Sequence, residues 1–180
     1  MTRIVLTYED YVALPDDGKR YELHEGELVV TPSPGRRHQR VLGHLYRILV
    51  EHVETSGHGE LLLSPFDVIL TNISVVVPDL SYVDDERLAL VRERGVEGSP
   101  TLAIEIISPY TGQIDRRRKF ALYSAHDVTW YWIVDPIAET IDVHHLEAGA
   151  YTLTARLEGR EPRALPPFLD LTLDPAAVWR

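Results

Sequence analysis

The chain has 180 residues, of which 44% are hydrophobic and 26% are charged, so it is long enough to bury a substantial core. It contains no cysteine, which excludes disulfides and thiolate metal sites. Its 18 basic and 28 acidic residues give a net charge of −10, which argues against non-specific coating of nucleic acid or anionic membranes. An enzyme that meets nucleic acid through a local basic patch remains compatible with this charge.

We expect a single domain over residues 1–180 and a cytoplasmic protein. The first residues lack the apolar core of a signal peptide, and no apolar run approaches the length of a membrane span. The sequence contains no internal repeat and no low-complexity segment.

The N-terminal region predicts a short helix and a hairpin. Thr7 to Leu14 starts with a threonine suited to an N-cap, followed by acidic residues that the helix dipole favours. Arg20 to His24 and Glu27 to Thr31 alternate in polarity around Glu25-Gly26, a two-residue connection typical of β-hairpins.

The next segments predict a long helix and a bent strand. From Arg36 to about Ser56, apolar residues recur at three- and four-residue spacing, and Gly57 is a plausible stop. Leu61 to Leu63 and Phe66 to Leu70 are interpreted as one strand that bends or bulges near Pro65.

The middle of the chain predicts two strands separated by a helix. Val75 to Val83 forms the first strand, with Pro78 indicating an edge or a bulge. Asp84 to Arg94 is interpreted as a charged surface helix that ends at Gly95. Thr101 to Ser108 (TLAIEIIS) is a short apolar strand rich in β-branched residues.

The C-terminal part adds a helix, a strand and a hairpin. The helix covers Ile114 to Ala125, and the strand covers Val128 to Val134. Thr140 to His145 and Tyr151 to Leu157 form the hairpin, and the tail closes with a short turn near Asp174-Pro175. Hairpins, strands and intervening helices in this order predict an α/β fold with a mixed sheet flanked by helices.

Two acidic residues interrupt apolar runs. Glu105 lies in the middle of the Thr101 to Ser108 strand, where burial of a carboxylate costs on the order of 5 kcal/mol unless a proton, a cation or a metal ion compensates it. Asp79 has a similar setting in Val75 to Leu80, and the following helix contributes Lys119. Carboxylates suit Mg²⁺, and a lysine can orient water or stabilise charge on phosphate, so these residues are the parts of a metal-dependent phosphodiesterase.

At these residues the chain resembles the PD-(D/E)XK superfamily of restriction-endonuclease-like nucleases, and more narrowly the small endonucleases called the Uma-two family. The matching phrases, in the order of that family, are YELHEGEL (Tyr21 to Leu28), PFDVIL (Pro65 to Leu70), VVVPDLSYV, LAIEIISP, then Asp115, Lys119 and Tyr123, and finally TWYWIVDP. The phrases run from about Tyr21 to Pro136, which is most of the chain.

The resemblance implies a restriction-endonuclease-like core, a mixed central β-sheet flanked by helices, with an added N-terminal hairpin. It implies an endonuclease dependent on Mg²⁺ or Mn²⁺ that acts on nucleic acid, with DNA as the expected substrate. Asp79 and Glu105 are then the metal ligands, Lys119 assists catalysis, and Glu22 supports the site from the N-terminal region. Ile107 stands where the superfamily motif carries its lysine, and the family is thought to supply that lysine from the following helix, at Lys119.

Structural explanations compete with several of these assignments, and Glu22 is also explained as an exposed glutamate of the hairpin. Glu105 is also explained as a carboxylate paired with a buried Arg or Tyr, and Lys119 as the partner of Asp115 on a solvated helix face. The basic run from Arg116 to Lys119 is suited to phosphate, or is merely solvated charge. For His38 the sequence leaves three interpretations open: a helix cap, a contact to phosphate, or neither role.

Two other classes of protein could contain the same acidic residues and lysine. A catalytically inactive nuclease-fold module that binds nucleic acid or a protein partner is the competing class, and a glycosidase with a carboxylate pair explains the lysine poorly. Trp130 and Trp132 are expected in a core or an interface rather than in a base-stacking platform. The sequence leaves a homodimer as an option.

Overall fold

The computed structural model describes residues 4–107 and 115–180. Within these ranges the α-helices are α1 (Tyr8–Val12), α2 (Arg36–Ser56), α3 (Phe120–Ala125) and α4 (Pro175–Trp179), and a π-helical turn, Asp115–Lys119, leads into α3. The strands are β1 (Arg20–His24), β2 (Glu27–Thr31), β3 (Glu60–Leu63), β4 (Asp67–Thr71), β5 (Ser74–Val76), β6 (Leu80–Val83), β7 (Val91–Arg92), β8 (Gly95–Glu97), β9 (Leu102–Ile106), β10 (Trp130–Asp135), β11 (Thr140–Glu147), β12 (Ala150–Leu157), β13 (Arg163–Leu165) and β14 (Phe168–Leu173). Among the described helices, none is both long enough and apolar enough to cross a membrane.

Twelve of the strands form two mixed sheets of six strands each, and β13 and β14 pair in a separate two-stranded sheet. The first sheet has the order β2-β1-β5-β4-β8-β7, and the second has the order β12-β11-β10-β9-β6-β3. Neighbouring strands are antiparallel except for the parallel pairs β4/β8 and β9/β10. The mixed α/β fold class is therefore confirmed, and the predicted N-terminal hairpin forms one edge of the first sheet.

Strand β9 is covered on both faces, as its apolar sequence predicts. Leu102, Ile104 and Ile106 belong to a core cluster that also contains the buried face of α2. Ala103 belongs to a second cluster, which includes Tyr123 of α3 and buried valines of the first sheet. Side chains alternate along a strand, so Glu105 shares the α3 side of the second sheet with Ala103.

Several local predictions are confirmed by backbone geometry. Thr7 caps α1 in a capping box with Asp10, in which each side chain bonds to the backbone of the other residue. The β1–β2 turn places Glu25 at φ 51° and Gly26 at φ 79°, the left-handed pair that a two-residue hairpin turn requires. Helix α2 has the predicted bounds and ends in a left-handed residue, Gly57.

Two predicted strands are each divided between the sheets. The bent strand around Pro65 is in fact β3 in the second sheet and β4 in the first, and the predicted Val75 to Val83 strand is β5 in the first sheet and β6 in the second. Pro65 and Pro78 lie where the chain crosses from one sheet to the other, because proline has no N–H for a sheet ladder. Strands β5 and β6 are buried along their whole length, whereas β3 and β4 are only partly buried.

The predicted surface helix from Asp84 to Arg94 is wrong. This segment contains a 3-10 turn, Leu88–Leu90, followed by the short β7–β8 hairpin. The Arg87 guanidinium donates to the carbonyl of Pro100 at 3.0 Å and to Oγ1 of Thr129 at 3.0 Å. Val96 of β8 is fully buried and pairs with β4, so tertiary contacts override the helical composition.

The C-terminal predictions are confirmed in outline. The helix predicted over Ile114 to Ala125 ends at Ala125 as expected, in α3. Its predicted start at Ile114 and the predicted end of the β9 strand at Ser108 lie outside the described residues. The late hairpin is longer than predicted and turns at Ala148-Gly149. The β13–β14 pair and α4, which follows the predicted Asp174-Pro175 turn, were not predicted.

Candidate active site

The pairing of β6 with β9 brings Asp79 next to Glu105. Leu80 is the register partner of Ile104, so Asp79, one residue before β6, lies across from Glu105. The peptide N–H of Ile106 donates to Oδ2 of Asp79 at 2.8 Å. Both carboxylates line one cavity of about 40 Å³, together with His38 and Lys119.

Lys119 reaches into this site although it lies on another element. It is only 4% exposed, and its Nζ donates to Oε1 of Glu105 at 2.8 Å and to Oε1 of Glu22 at 3.0 Å. A pair on a solvated helix face therefore does not describe this lysine. An ammonium between two buried carboxylates offsets the free-energy cost of removing their charges from water. The carboxylates in turn offset the same cost for the ammonium.

Tyr123 holds the same oxygen of Glu105. Its hydroxyl donates to Oε1 of Glu105 at 2.7 Å, one helical turn after Lys119. Burial and the Glu105 carboxylate raise the pKa of Tyr123 well above its ordinary value, so the hydroxyl stays protonated as a donor. Glu105 thus pairs with a tyrosine as well as with a lysine. The side chain of Asp115, the alternative partner considered for Lys119, lies outside what the structure describes.

Glu22 lies behind Lys119 rather than in the cavity. It is 1% exposed, and its Oε1 accepts both the Lys119 ammonium and the peptide N–H of Val77, the latter at 3.1 Å. Its Oε2 lies 2.8 Å from Nε2 of His24. Burial acts to raise the pKa of Glu22, but Lys119 and His24 lower it to about 2, so the carboxylate remains charged. Its position suits it to orient Lys119.

Glu22 should contribute to acid unfolding. Its pKa is lowered from 4.5 to about 2 in the folded chain, so its stabilising contribution is present above the ordinary pKa and is lost as the pH falls through the folded value. Glu22→Gln removes this proton linkage. The variant should therefore lose less unfolding free energy than the parent between about pH 5 and pH 2.5, measured by urea titration. Equal losses in the two proteins would contradict this assignment.

His38 is the site residue whose position the sequence did not predict. Its Nε2 lies 3.0 Å from Oδ2 of Asp79, and its buried Nδ1 has no hydrogen-bond partner among the described residues. The helical periodicity of the sequence could have predicted its burial. His38 precedes Val41, Leu42 and Leu45 by three, four and seven residues, so it shares their buried face of α2.

The site offers donors for a hard cation. The side chain of Asp79 makes two hydrogen bonds with described residues, and both use Oδ2. No group of three or more His, Asp or Glu side chains suited to one ion occurs in residues 4–107 and 115–180. Mg²⁺ is commonly held by one or two carboxylates with water and substrate oxygens, and a cavity of about 40 Å³ exceeds the space one water needs. The residues present therefore fit such an ion at Asp79 and Glu105.

The remaining candidates lie outside the cavity. Arg117 is exposed, and Arg118 pairs with Glu27 at 2.6 Å. Trp132 is fully buried and donates its indole N–H to the carbonyl of Pro166, as expected of a core residue. Trp130 is half-buried and stacks on His145, with ring centroids 4.1 Å apart.

Comparison with known proteins adds a family and a fold. The model of the Uma2 family, described as "Putative restriction endonuclease", matches residues 8–176. The crystal structure of a "putative nuclease" from Anabaena variabilis is similar with a TM-score of 0.79 at 19% identity, and the match covers 97% of each chain. At this identity the likeness concerns the fold alone. No curated protein matches the sequence.

Proposed function

The chain belongs to the Uma2 family of restriction-endonuclease-type proteins, and we propose that it is a metal-dependent endonuclease that hydrolyses phosphodiester bonds in DNA. One observation carries the proposal: Asp79, Glu105 and Lys119 meet at a single small cavity although strand, loop and helix supply them separately. The pattern also agrees with membership of the PD-(D/E)XK superfamily.

Asp79 and Glu105 would hold the ion. When bound, Mg²⁺ or Mn²⁺ would polarise the phosphoryl group and lower the pKa of a coordinated water. The Ile106 N–H and His38 orient Asp79, and Tyr123 orients Glu105. Each carboxylate is thereby presented to the cavity in a fixed rotamer, which lowers the entropic cost of binding an ion.

Lys119 supplies the positive charge that Ile107 cannot. Ile107 is buried among apolar residues on the α3 side of the second sheet, whereas the Lys119 ammonium lies against Glu105. An ammonium between carboxylates stays protonated, so Lys119 acts by stabilising charge on the phosphate oxygens rather than as a general base. Glu22 keeps the ammonium in place from the side opposite Glu105.

A plasmid-nicking assay tests the proposal. Supercoiled DNA should be nicked with Mg²⁺ or Mn²⁺ and left intact with EDTA, and Asp79→Ala should reduce cleavage to background because a metal ligand is lost. Glu51→Ala is the matched control, since Glu51 is an exposed acidic residue on α2 away from the cavity, and it should cleave like the parent.

The assay also separates the competing class of protein. Binding of DNA without cleavage under every metal tested would favour an inactive nuclease-fold module. Cleavage that persists in Asp79→Ala would place the chemistry elsewhere. RNA offered in the same assay distinguishes the two nucleic acids.

A further inference from the structure

A second, larger cavity lies next to the candidate active site. Its volume is about 410 Å³, within the range of roughly 300–1,000 Å³ that is typical of small-molecule sites. It is bounded by α1, the start of β1 and the start of β4. Its polar and aromatic lining includes Tyr8, Tyr11, Lys19, Arg20, Asp67 and Arg94.

One wall of this cavity consists of two tyrosine rings beside a carboxylate that can accept hydrogen bonds. Tyr8 and Tyr11 lie one turn apart on α1, with ring centroids 6.2 Å apart and planes inclined by 21°. The Tyr11 hydroxyl donates to Oδ1 of Asp67 at 3.0 Å. The Asp67 carboxylate disfavours a phosphate beside it, but it can accept hydrogen bonds from the amino or imino groups of a nucleobase.

The basic side chains that line the cavity can contact phosphate. Lys19 and Arg94 are exposed, and Lys19 also pairs with Asp17 at 2.8 Å. Arg20 lines both this cavity and the cavity of Asp79 and Glu105. Its Nη2 donates weakly to the carbonyl of Val77 at 3.4 Å, and its buried Nε has no partner among the described residues. Donor capacity toward an anion is therefore available where the two cavities adjoin.

We propose that this second cavity is a subsite for one unpaired nucleotide of the nucleic-acid strand, next to the phosphate at the candidate active site. The inference rests on the proposed function, which supplies the strand. The base stacks against the tyrosine wall near Asp67, and the flanking phosphates meet Arg20 and Arg94. A base can enter such a cavity only when it is unpaired, so the subsite selects single-stranded or locally opened substrate. It also explains how a chain of net charge −10 contacts a polyanion at one place.

The test measures binding without cleavage. Isotope-labelled protein in EDTA is titrated with a thymidine pentanucleotide and, separately, with a hairpin duplex, while amide and tyrosine ring signals are followed by NMR. The pentanucleotide should perturb the signals of Tyr8, Tyr11 and Arg94 and should bind more tightly than the duplex. Tyr8→Leu should weaken binding about fivefold or more, whereas Tyr8→Phe, which keeps the ring, should bind like the parent.

A matched pair of arginines controls for general charge. Arg94→Ala should weaken binding, whereas Arg92→Ala removes an equal charge two residues away, outside the cavity lining, and should have a much smaller effect. Equal losses in these two variants, equal binding of duplex and single strand, or unchanged binding by Tyr8→Leu would each overturn the subsite. Because EDTA prevents metal-dependent cleavage, these outcomes are independent of the plasmid assay. A chain that binds here but never nicks DNA would refute the endonuclease and leave the subsite standing.

Discussion

Lys119→Met is expected to lower the free energy of unfolding by about 3–5 kcal/mol, since removing one member of a buried ion pair leaves an uncompensated buried charge. In this chain two buried carboxylates, Glu105 and Glu22, would lose the ammonium that lies within 3.0 Å of both. Methionine keeps much of the side-chain volume, so the loss reports charge more than packing. Urea unfolding at neutral pH measures it.

Two further variants distinguish the buried network from ordinary ion pairing. Adding Glu22→Gln to Lys119→Met should recover part of the lost stability, because it removes one of the unpaired charges, and the two effects should therefore not add. Arg118→Met, which breaks the more exposed pair with Glu27, should cost no more than about 1 kcal/mol. A Lys119→Met protein with the parent's urea midpoint would contradict the burial of this ammonium between carboxylates.

Loss of the Lys119 ammonium is also expected to slow cleavage by about 10²-fold or more, the scale observed when one preorganised charge stabiliser is removed. The rate should be measured on Lys119→Met/Glu22→Gln at a temperature where circular dichroism shows it folded, so that instability does not imitate a catalytic defect. Glu22→Gln alone provides the baseline for the double variant. Metal binding, followed by titration with Mn²⁺, should be largely retained because Asp79 and Glu105 are unchanged.

Arg117→Ala controls for general attraction to phosphate in the same experiment. Arg117 is exposed and lies two residues before Lys119, so its loss should alter mainly the salt dependence of cleavage. A lysine variant that cleaves as fast as the parent would show that the ammonium near Glu105 has no catalytic role.

The elements with strong local signals were predictable. The β1–β2 hairpin and α2 have the bounds that their turn residues and apolar periods indicate, since both signals are short-range. The division of strands between two sheets was not predictable, because Pro65 and Pro78 indicate a break but not the sheet in which the chain continues.

The same distinction applies to the candidate site. Asp79 and Glu105 were recognised because a carboxylate in an apolar run demands compensation. Lys119 was recognised as the lysine of the following helix, and the family resemblance added its role as the substitute for the lysine missing at Ile107. The partners of these residues depend on packing between distant segments. Lys119 and Glu22 are 97 residues apart in the chain, and His38 and Asp79 are 41 apart, so no local pattern joins them.

The Lys119 contact also connects the two halves of the architecture. Glu105 belongs to the second sheet and Glu22 to the first, and the Lys119 ammonium lies between them. During folding each sheet can form its own hydrogen-bonded ladders, but this three-residue contact can form only after the sheets have docked and expelled water from between them. We therefore expect the site to assemble late in folding, since it depends on many long-range contacts, which are slow to form. A partly folded chain with one sheet detached would retain much secondary structure while its lysine and both glutamates were again hydrated.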